Sequence, residues 1–362
     1  MPMHRVIQVA LVACTASALS CAVAAAALPP WVISGANNVA DVTIVSGVGL
    51  TPVSAFSIPA FPGGVRLAGG DLNGDGAPDV VTGSNAFAQV KVFSGPSHTD
   101  TLTFRPYGSA FRFGVYVAIG NVGGNSALDI VTGAAGGAAN VGVFNGRTGA
   151  AIGAQFLAFP SDFTGGVRVA SGDINHDGFA DIIAATGPNG DLINVFSGSD
   201  HSTLLSSITP FSSTPSDGVY VASGDVDGDG FADIIAGGGI ENSSGAITPE
   251  VKVFSGKTGD TLFDFAAFAS FVGGVRVGSG DINGDGLADI IAGEGPGGNA
   301  VTIFSGKDAS VLTSFLPFGS AFASGVFVAG LSPVPEPSML VLLGCGLIGV
   351  AAMRRPMRLR LT

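Results

Sequence analysis

The chain contains a nine-residue pattern of oxygen-bearing side chains that recurs at a nearly constant distance. In Asp281–Asp289, Asp or Asn stands at loop positions one, three, five and nine, and Gly286 stands at position six. The pattern returns three times intact and once in decayed form, as Asp71–Asp79, Asp173–Asp181, Asp225–Asp233 and Asn121–Asp129. The five copies begin 50, 52, 52 and 56 residues apart. A period of this length indicates a repeat architecture.

Each period predicts four short β-strands. In the fifth unit these are Gly274–Gly278, Ala288–Ala292, Ala300–Ser305 and Val311–Phe318, with turn-forming residues between them. A unit of about 50 residues and four strands has the size of a β-propeller blade. A β-solenoid has shorter coils, and the units of an immunoglobulin-like array are closer to about 100 residues long.

The two ends of the repeat region predict how the ring closes. Trp31–Gly35, Asp41–Ser46 and Pro52–Phe61 match the second, third and fourth strands of a unit, and Gly325–Gly330 matches a first strand alone. Together they form a sixth, composite blade. The sequence therefore predicts an all-β, six-bladed propeller of four-stranded blades, in which the C-terminal strand pairs with the three N-terminal strands and removes the exposed sheet edges.

The first strands carry a second alternation. Their middle residues are, in order, Arg66, Tyr116, Arg168, Tyr220, Arg276 and Phe327. If the first strand is nearest the axis, three arginines alternate with three aromatic residues around the ring, where cation–π contacts reduce the repulsion between like charges. The alternative is that these are ordinary exposed strand positions.

The nine-residue loops predict bound Ca²⁺, because hard cations take six to eight oxygen ligands and alternate Asp and Asn side chains supply several of them. An EF-hand is excluded, since it requires Glu at position twelve, where the intact copies have Thr82, Ala184, Ala236 and Ala292. A dockerin is disfavoured because a β-rich segment, not a helix, follows the loop. The remaining alternative is that the Asp and Asn residues serve only as turn formers.

The pattern D-x-[DN]-x-D-G-x-x-D between two strands resembles the FG-GAP repeat, also called integrin-α-type or VCBS-like. Asp75-Gly76-Ala77-Pro78-Asp79 carries its Gly-Ala-Pro element, and Phe318-Gly319 resembles its Phe-Gly element. The resemblance covers most of Trp31–Leu331. It implies that the loop joins the first and second strands of a blade and binds Ca²⁺.

The resemblance also implies the ligands of about four calcium sites. Each site would use the side chains at loop positions one, three, five and nine and the carbonyl oxygen at position seven. By position these are Asp71, Asn73, Asp75, Ala77 and Asp79; Asp173, Asn175, Asp177, Phe179 and Asp181; Asp225, Asp227, Asp229, Phe231 and Asp233; and Asp281, Asn283, Asp285, Leu287 and Asp289. The decayed copy retains one carboxylate, Asp129, and has Gly123 at position three, so we expect it to bind no ion.

Composition limits the possible partners. The net charge is −12, and 12% of the 362 residues are charged. This composition argues against nucleic acid as a ligand, because phosphate binding requires clustered Lys and Arg.

The N-terminal residues 1–27 are predicted to be a secretory signal peptide, with a weakly basic start, an apolar stretch from Val6 to Leu19 and small residues from Ala22 to Ala27. The apolar stretch is short for a membrane anchor. The segment Ala18–Cys21 only weakly matches a lipoprotein cleavage box. Residues 28–332 form the predicted propeller.

Residues 333–362 form a tail of three parts. Pro335-Glu336-Pro337 precedes an apolar run from Ser338 to Met353, and four arginines follow at positions 354, 355, 358 and 360. This order closely resembles the PEP-CTERM sorting signal of Gram-negative bacteria, and the alternative is a plain C-terminal anchor. The resemblance implies a short transmembrane helix that anchors the protein in the inner membrane before processing by an exosortase, and later residence on the outer surface or in the extracellular matrix. The three Cys residues all lie in the two targeting segments, so the propeller has none.

We expect no enzyme. The propeller contains only His98, His176 and His201, and no nucleophile elbow, phosphate loop or zinc spacing is present. The ten-residue insert Ile240–Pro249 is predicted to be a Gly/Ser-rich loop, in which Glu241 and Asn242 could border a ligand site.

Three functions follow from the sequence: a cell-surface or biofilm-matrix module for binding or adhesion, a purely structural surface protein, and an enzyme acting on extracellular polysaccharide. We favour the first. The ligand would be an extracellular protein or polysaccharide. One Trp and three Tyr are few for a glycan-binding surface, which favours a protein.

Overall fold

The chain folds into six four-stranded antiparallel sheets arranged as blades. A computed structural model describes residues 30–331, apart from 62, 96, 125–126, 212–217 and 242–246. Pro29–Val334 forms one compact unit, and the other unit consists of segments outside the described residues. Within each blade the strands follow one another in sequence order, except in the composite blade. This is the six-bladed propeller that the repeat predicts.

The strands are grouped here by blade, starting with the blade that contains the first Asp loop. Blade one contains β4 (Val65–Gly70), β5 (Asp79–Ser84), β6 (Val90–Ser94) and β7 (Thr99–Phe104). Blade two contains β8 (Val115–Gly120), β9 (Asp129–Ala134), β10 (Asn140–Asn145) and β11 (Ala151–Leu157). Blade three contains β12 (Val167–Gly172), β13 (Asp181–Thr186), β14 (Ile193–Phe196) and β15 (Leu204–Ile208).

The remaining three blades complete the ring. Blade four contains β16 (Tyr220–Gly224), β17 (Asp233–Glu241), β18 (Ile247–Phe254) and β19 (Thr261–Ala266). Blade five contains β20 (Val275–Gly280), β21 (Asp289–Glu294), β22 (Val301–Phe304) and β23 (Val311–Phe315). Blade six contains β24 (Val326–Leu331), β1 (Trp31–Ala36), β2 (Asp41–Ser46) and β3 (Thr51–Ser57).

The composite blade closes the ring as predicted. β24 pairs antiparallel with β1 from Trp31↔Leu331 to Ala36↔Val326, so the C-terminal strand is the innermost strand of the sheet that the N-terminal strands complete. The innermost strands of successive blades contact one another in the cycle β4, β8, β12, β16, β20, β24 and back to β4. These six strands therefore surround the axis.

The core lies between neighbouring blades. The second strand of a blade is buried on both faces, as in β13 and β9, and it has a nearly continuous apolar sequence for that reason. Ile182 and Ile183 are successive residues that point to opposite faces, and both are fully buried. Each such side chain contributes about 1.5–3 kcal/mol by its removal from water. The outermost strands alternate between exposed and half-buried residues, as in β7.

Two strand predictions are wrong at their C-terminal ends. β3 ends at Ser57, not at Phe61, because the chain turns inward and the Ile58 N–H donates to the Ala40 carbonyl. Ile58 and Phe61 are buried there as turn residues. β23 ends at Phe315, not at Phe318, since a turn closed by the Gly319 N–H and the Leu316 carbonyl follows it.

The sequence predicted a loop for the insert Ile240–Pro249 in blade four, but both ends of the insert lie in paired strands. β17 and β18 extend beyond the length of their counterparts, and their register continues through Gly239↔Pro249, Ile240↔Thr248 and Glu241↔Ile247. The Pro at position 249 lies at a sheet position without disrupting the pairing that continues to Ile247. Asn242, named with Glu241 as a residue that could border a ligand site, lies outside the described residues.

Candidate functional site

Each intact Asp loop is closed by the carboxylate at position one. In blade five, Oδ1 of Asp281 accepts the N–H groups of Gly284 and Asp285 at 2.7 and 3.1 Å, and Oδ2 accepts the N–H of Gly286 at 3.0 Å. Gly286 has φ of 89°, a left-handed conformation that favours glycine, so the chain turns back toward the first residue at this point. The equivalent bonds from positions five and six are present in blades one, three and four.

The residues at positions five and seven are joined in the same way in all four loops. Oδ1 of the position-five aspartate accepts the N–H of position seven at 2.8–3.0 Å; the donors are Ala77, Phe179, Phe231 and Leu287. The sequence assigned the carbonyl oxygen of these residues to an ion. The observed bonds place the backbone N–H of each position-seven residue beside the carboxylate of position five.

An asparagine at position three donates to the carboxylates around it. In blade one, Asn73 Nδ2 lies 3.0 Å from Asp75 Oδ2 and 3.4 Å from Asp79 Oδ1. Asn283 makes the same two contacts with Asp285 and Asp289 at 3.0 and 3.3 Å. Asn175 in blade three contacts Asp177 at 3.0 Å. In blades one and five the amide thus donates to two carboxylates that would otherwise repel each other.

The aspartate at position nine fastens the loop to the sheet. Asp233 is fully buried; its Oδ2 accepts the Val226 N–H at 2.8 Å and its Oδ1 accepts the Gly256 N–H at 3.1 Å. Burial raises the pKa of Asp233 to about 6, against the opposing effect of these two N–H groups. The counterparts in blades one, three and five make the same two bonds, and burial raises their pKa values as well; they are Asp79, Asp181 and Asp289.

Blade four differs because position three is Asp227, which has no amide to donate. The carboxylates of Asp225, Asp227 and Asp229 each offer an oxygen within 4.8 Å of the others, the one such group of three among the described residues. Asp233 is not part of this group. Lys257 lies beside this group, with its Nζ 3.4 Å from Asp229 Oδ2 and 4.9 Å from the centroid of the Phe231 ring. Three acidic groups therefore share one small region with one exposed lysine beside them.

The donor set of these loops fits a calcium ion. Carboxylate and carbonyl oxygens are the ligands that Ca²⁺ prefers, and blade four brings three carboxylates together without any amide between them. In blades one, three and five, the Asn amide would have to turn its oxygen toward an ion. Position nine would contribute only a lone pair that its two backbone bonds leave free.

The decayed loop of blade two has a different arrangement. Asp129 is fully buried, and among the described residues neither of its carboxylate oxygens has a hydrogen-bond partner, nor has the buried Oδ1 of Asn121. Burial raises the pKa of Asp129 to about 6, and the nearby Val122 N–H opposes this shift. Position nine is therefore acidic here as well, but it lacks the two backbone hydrogen bonds that its counterparts make in the intact loops.

Neighbouring loops are tied to each other around this face of the propeller. The N–H of position eight donates to the carbonyl of position one in the preceding blade, through Ala180→Asn121 at 3.0 Å, Ala232→Asp173 at 2.9 Å and Ala288→Asp225 at 2.8 Å. The ring of Phe231 packs on His176 of the preceding loop, with 5.0 Å between ring centroids. The order of one loop is thereby coupled to that of the next.

A cleft of about 510 Å³ lies between the loops of blades four and five. Asp227 and Asp285 contribute its acidic groups, Lys307 its basic group, and Leu262, Phe263 and Leu287 its apolar surface.

The predicted alternation around the axis is confirmed. The guanidinium carbons of Arg66, Arg168 and Arg276 lie 4.1, 3.8 and 4.2 Å from the ring centroids of Tyr116, Tyr220 and Phe327, respectively. The three aromatic rings lie 6.3–6.5 Å from one another. Because the six side chains converge, the alternative of ordinary exposed positions is wrong. The Asp loops begin immediately after these inner strands end, so the ring lies toward the opposite face.

Two of the three histidines of the propeller occupy turns. His98 and His201 have left-handed φ values of 50° and 59°, and their N–H groups close hairpins onto Ser94 and Ser197. Gly149 and Gly259 fill the same place in blades two and four. His176 stands at loop position four, which is glycine in the other intact loops, and its side chain is exposed.

Comparison with known proteins agrees with this architecture. The FG-GAP-like repeat model matches residues 173–236, which span the loops of blades three and four, and the PEP-CTERM protein-sorting motif matches residues 333–355. The chain is therefore an all-β propeller with an FG-GAP-like repeat and a C-terminal PEP-CTERM motif. The motif marks it as a protein exported by a Gram-negative bacterium and processed by an exosortase.

Structural likeness is confined to the fold. A protein of unknown function from Bacteroides caccae is 10% identical with a TM-score of 0.53, and the match covers 84% of this chain and 99% of that one. A mitotic checkpoint complex structure (16% identity, TM-score 0.49, 83% and 81% covered) and Chaetomium thermophilum Raptor (13%, 0.47, 79% and 24% covered) are more distant. No curated protein sequence matches the chain significantly.

The predicted signal peptide, residues 1–27, and the predicted transmembrane helix in the tail both lie outside the described residues. Within the part of the chain that the structure describes, no helix is long and apolar enough to cross a membrane.

Proposed function

We propose that this protein is an exported, calcium-stabilised β-propeller that acts as a non-enzymatic binding or adhesion module on the cell surface or in the biofilm matrix. The observation that carries the proposal is the set of four closed Asp loops, of which those of blades three, four and five are linked from blade to blade. The cluster of Asp225, Asp227 and Asp229 is the position where a cation has most to stabilise.

Calcium would act as a clip in this proposal. Asp225, Asp227 and Asp229 would hold it in blade four, and the equivalent residues would do so in the other three intact loops. Neutralising the clustered carboxylates would lower their repulsion, and binding to the folded state alone would raise stability by mass action. Extracellular calcium modules often have dissociation constants of about 10⁻⁴–10⁻³ M. A concentration one hundred times the dissociation constant would add about 2.7 kcal/mol per site.

The absence of catalysis is part of the proposal. The histidines hold turn positions that glycine fills in other blades, which is the reason to regard them as structural. The cluster of Asp225, Asp227 and Asp229 belongs to a loop whose pattern recurs in three other blades, which supports a shared structural role.

A protein partner is favoured over a glycan. Glycan sites commonly stack sugars on exposed aromatic rings, but Trp31 is 4% exposed and packs in the core. Tyr107 donates to the Asn140 carbonyl, while Tyr116 and Tyr220 belong to the axial ring. In the described part of the chain, no Trp or Tyr is therefore left free for stacking. The cleft between blades four and five offers mixed acidic, basic and apolar contacts to a protein.

Two measurements test the proposal. Thermal unfolding of the purified protein with calcium and with chelator tests the clip: we expect a clearly higher midpoint with calcium, and an unchanged midpoint would refute it. Fractionation of the native bacterium, followed by comparison of a deletion strain with its parent for biofilm cohesion, tests the role. We expect the protein at the outer surface or in the matrix and a loss of cohesion without it; an intracellular protein, or unchanged cohesion, would contradict the adhesion role.

A further inference from the structure

The axial ring contains three buried positive charges. Arg66, Arg168 and Arg276 are 7, 4 and 4% exposed. They stand at the same position of the inner strands of blades one, three and five, and each guanidinium also lies 5.5 or 5.6 Å from a second aromatic ring. Neighbouring arginines therefore share an aromatic ring. Burying several like charges this close together is costly unless something offsets them.

Carboxylates do not offset the charge on two of these arginines. The ion pairs found among the described residues involve Lys91, Lys252 and Lys257, and none involves Arg66 or Arg276. Cation–π contacts of about 2 kcal/mol each reduce the cost when they are desolvated, but they leave the net charge unchanged. The ring thus retains a positive potential.

The three arginines of the ring differ in how many of their N–H groups are hydrogen-bonded. Nη1 of each arginine donates to the carbonyl at the end of its own second strand, at Ser84, Thr186 and Glu294, over 2.9, 3.2 and 3.3 Å. Arg66 Nη2 also donates to Asn85 Oδ1 at 2.8 Å. The Nε atoms of Arg66 and Arg276 are buried, and no atom of the described residues accepts a hydrogen bond from either.

The reason for this unevenness is the aromatic residue of blade six. Two tyrosine hydroxyls are available to three arginines, and the Nε of Arg168 donates to the Tyr116 hydroxyl oxygen at 3.3 Å, while its guanidinium carbon lies 3.8 Å from the centroid of the Tyr220 ring. The third aromatic residue is Phe327, which has no hydroxyl. It lies between Arg66 and Arg276, at 5.5 and 4.2 Å from their guanidinium carbons. The two unpaired N–H groups therefore belong to the two arginines that flank the residue without an acceptor.

We propose that Arg66 and Arg276, on either side of Phe327, form an anion-binding site at the axis of the propeller, and that its ligand is a compact oxyanion such as a carboxylate or a sulfate group. Guanidinium groups bind such anions through paired N–H donors. The three aromatic rings are in edge contact, with 6.3–6.5 Å between their centroids, so the proposed ligand is a compact group that lies beside the rings and not between them. Tyr116 and Tyr220 are only half-buried, so the ring is reachable from solvent. This inference does not depend on the proposed function.

The charge of the site agrees with the behaviour of Tyr116. Burial alone raises the pKa of a tyrosine, but here the Arg66 and Arg168 guanidiniums outweigh it and lower the pKa of Tyr116 to about 7. The ring thus stabilises negative charge on one of its own members.

The experiment is isothermal titration of the purified protein with sulfate, acetate and glucuronate, at constant ionic strength and saturating calcium. We expect saturable binding of at least one small anion. Binding of acetate but not of glucuronate would identify a free ion as the ligand, whereas equal binding of both would identify a carboxylate carried on a larger molecule. No saturable binding of any of the three would overturn the proposal.

Three variants locate the binding. Arg276→Gln removes one donor group and is expected to weaken binding at least about tenfold. Phe327→Tyr keeps the ring and supplies the missing acceptor, so it should raise the unfolding midpoint without anion and weaken anion binding. Arg112→Gln, an exposed arginine that stacks on Phe87, is the matched control and should bind as the wild type does. If Arg276→Gln does not fold, Phe327→Tyr decides: unchanged binding in that variant would refute the site.

Discussion

The N–H of Ala288 donates to the carbonyl oxygen of Asp225 at 2.8 Å, across the boundary between blades five and four. Asp225 is also the residue whose carboxylate closes the fourth loop. A movement of this loop, whether caused by ion binding or by charge repulsion, therefore acts directly on the next blade. The same bond recurs between blades four and three and between blades three and two, so the loops act as a connected series.

The residue at position three should set the calcium dependence of each loop. We expect Asp227→Asn to stabilise the calcium-free protein by about 1 kcal/mol, because the new amide can donate to neighbouring carboxylates as Asn283 does. The reverse change, Asn283→Asp, should destabilise the calcium-free protein by a similar amount and increase the gain from calcium. Thermal unfolding of both variants, with calcium and with chelator, checks this. Equal responses of the two variants would contradict it.

Replacement of the buried carboxylate of blade two should stabilise the protein at neutral pH. Burial raises the pKa of Asp129 from 3.8 to about 6, so between these values the folded protein holds a proton that the unfolded chain has lost. The free energy of unfolding therefore falls as the pH rises through this window. Asp129→Asn removes this loss, so above pH 6 its free energy of unfolding should exceed that of the wild type by at most about 3 kcal/mol.

The control for Asp129→Asn is the same comparison at low pH. Below pH 3.8, the pKa of Asp129 in the unfolded chain, this residue is neutral in both the folded and the unfolded protein. The stability difference between the variant and the wild type should therefore disappear. Urea unfolding of both proteins across this range in saturating calcium provides the measurement. A variant that is equally stable or less stable at neutral pH would show that Asp129 has a partner in solution.

Much of this fold was accessible from the sequence because turn residues and strand residues alternate with a fixed period. The composite blade followed from three unmatched strands before Val65 and one after Gly325. The ends of β3 and β23 were missed, since Ile58 and Phe61 are apolar but are buried by a turn. Apolar character alone does not distinguish a strand residue from a turn residue that packs inward.

The Asp loops were predicted as units, but their internal differences were not. Asn73 and Asp227 both stand at loop position three. The amide of Asn73 donates to two carboxylates, whereas Asp227 adds a third carboxylate to the group with Asp225 and Asp229. The alternation of Arg66, Tyr116 and their counterparts was visible in the sequence, whereas the importance of Phe327 was not. That residue matters because it lies between Arg66 and Arg276 and has no hydroxyl to accept from them, which is a fact of three-dimensional contact.

Tyr116→Phe should make the protein less stable in alkaline solution. The pKa of Tyr116 is lowered from 10.0 to about 7, because the Arg66 and Arg168 guanidiniums outweigh the effect of burial. Between these values the unfolded chain binds a proton that the folded protein has released, so stability rises with pH in the wild type. The variant lacks this gain. The unfolding midpoints should be close below pH 7 and should separate at about pH 9; a constant difference would exclude ionisation of Tyr116.

Gly114 should not tolerate a side chain. A Cβ atom there would lie 2.3 Å from Arg66 Nη1 and 2.6 Å from the Ser84 carbonyl oxygen, which are hydrogen-bonded to each other. We expect Gly114→Ala to lower the free energy of unfolding by about 1–3 kcal/mol. Gly49→Ala, where no atom lies within 4 Å of the added carbon, is the matched control and should be neutral within about 0.5 kcal/mol. Chemical denaturation of both variants measures the difference, and equal midpoints would show that the arginine can move aside.

Removal of β24 should open the ring. This strand pairs with β1 over six residue pairs, and it buries Val326 and Val328 between blades five and six. Its loss would expose the edge of β1 and the faces of two blades, and exposed strand edges promote association between chains. A chain that ends at Gly325 should therefore lose its cooperative unfolding transition and form aggregates. A chain that ends at Pro335 retains β24 and serves as the control. Size-exclusion chromatography with calorimetry distinguishes them, and a monomeric, cooperatively folding Gly325 truncation would show that five blades suffice.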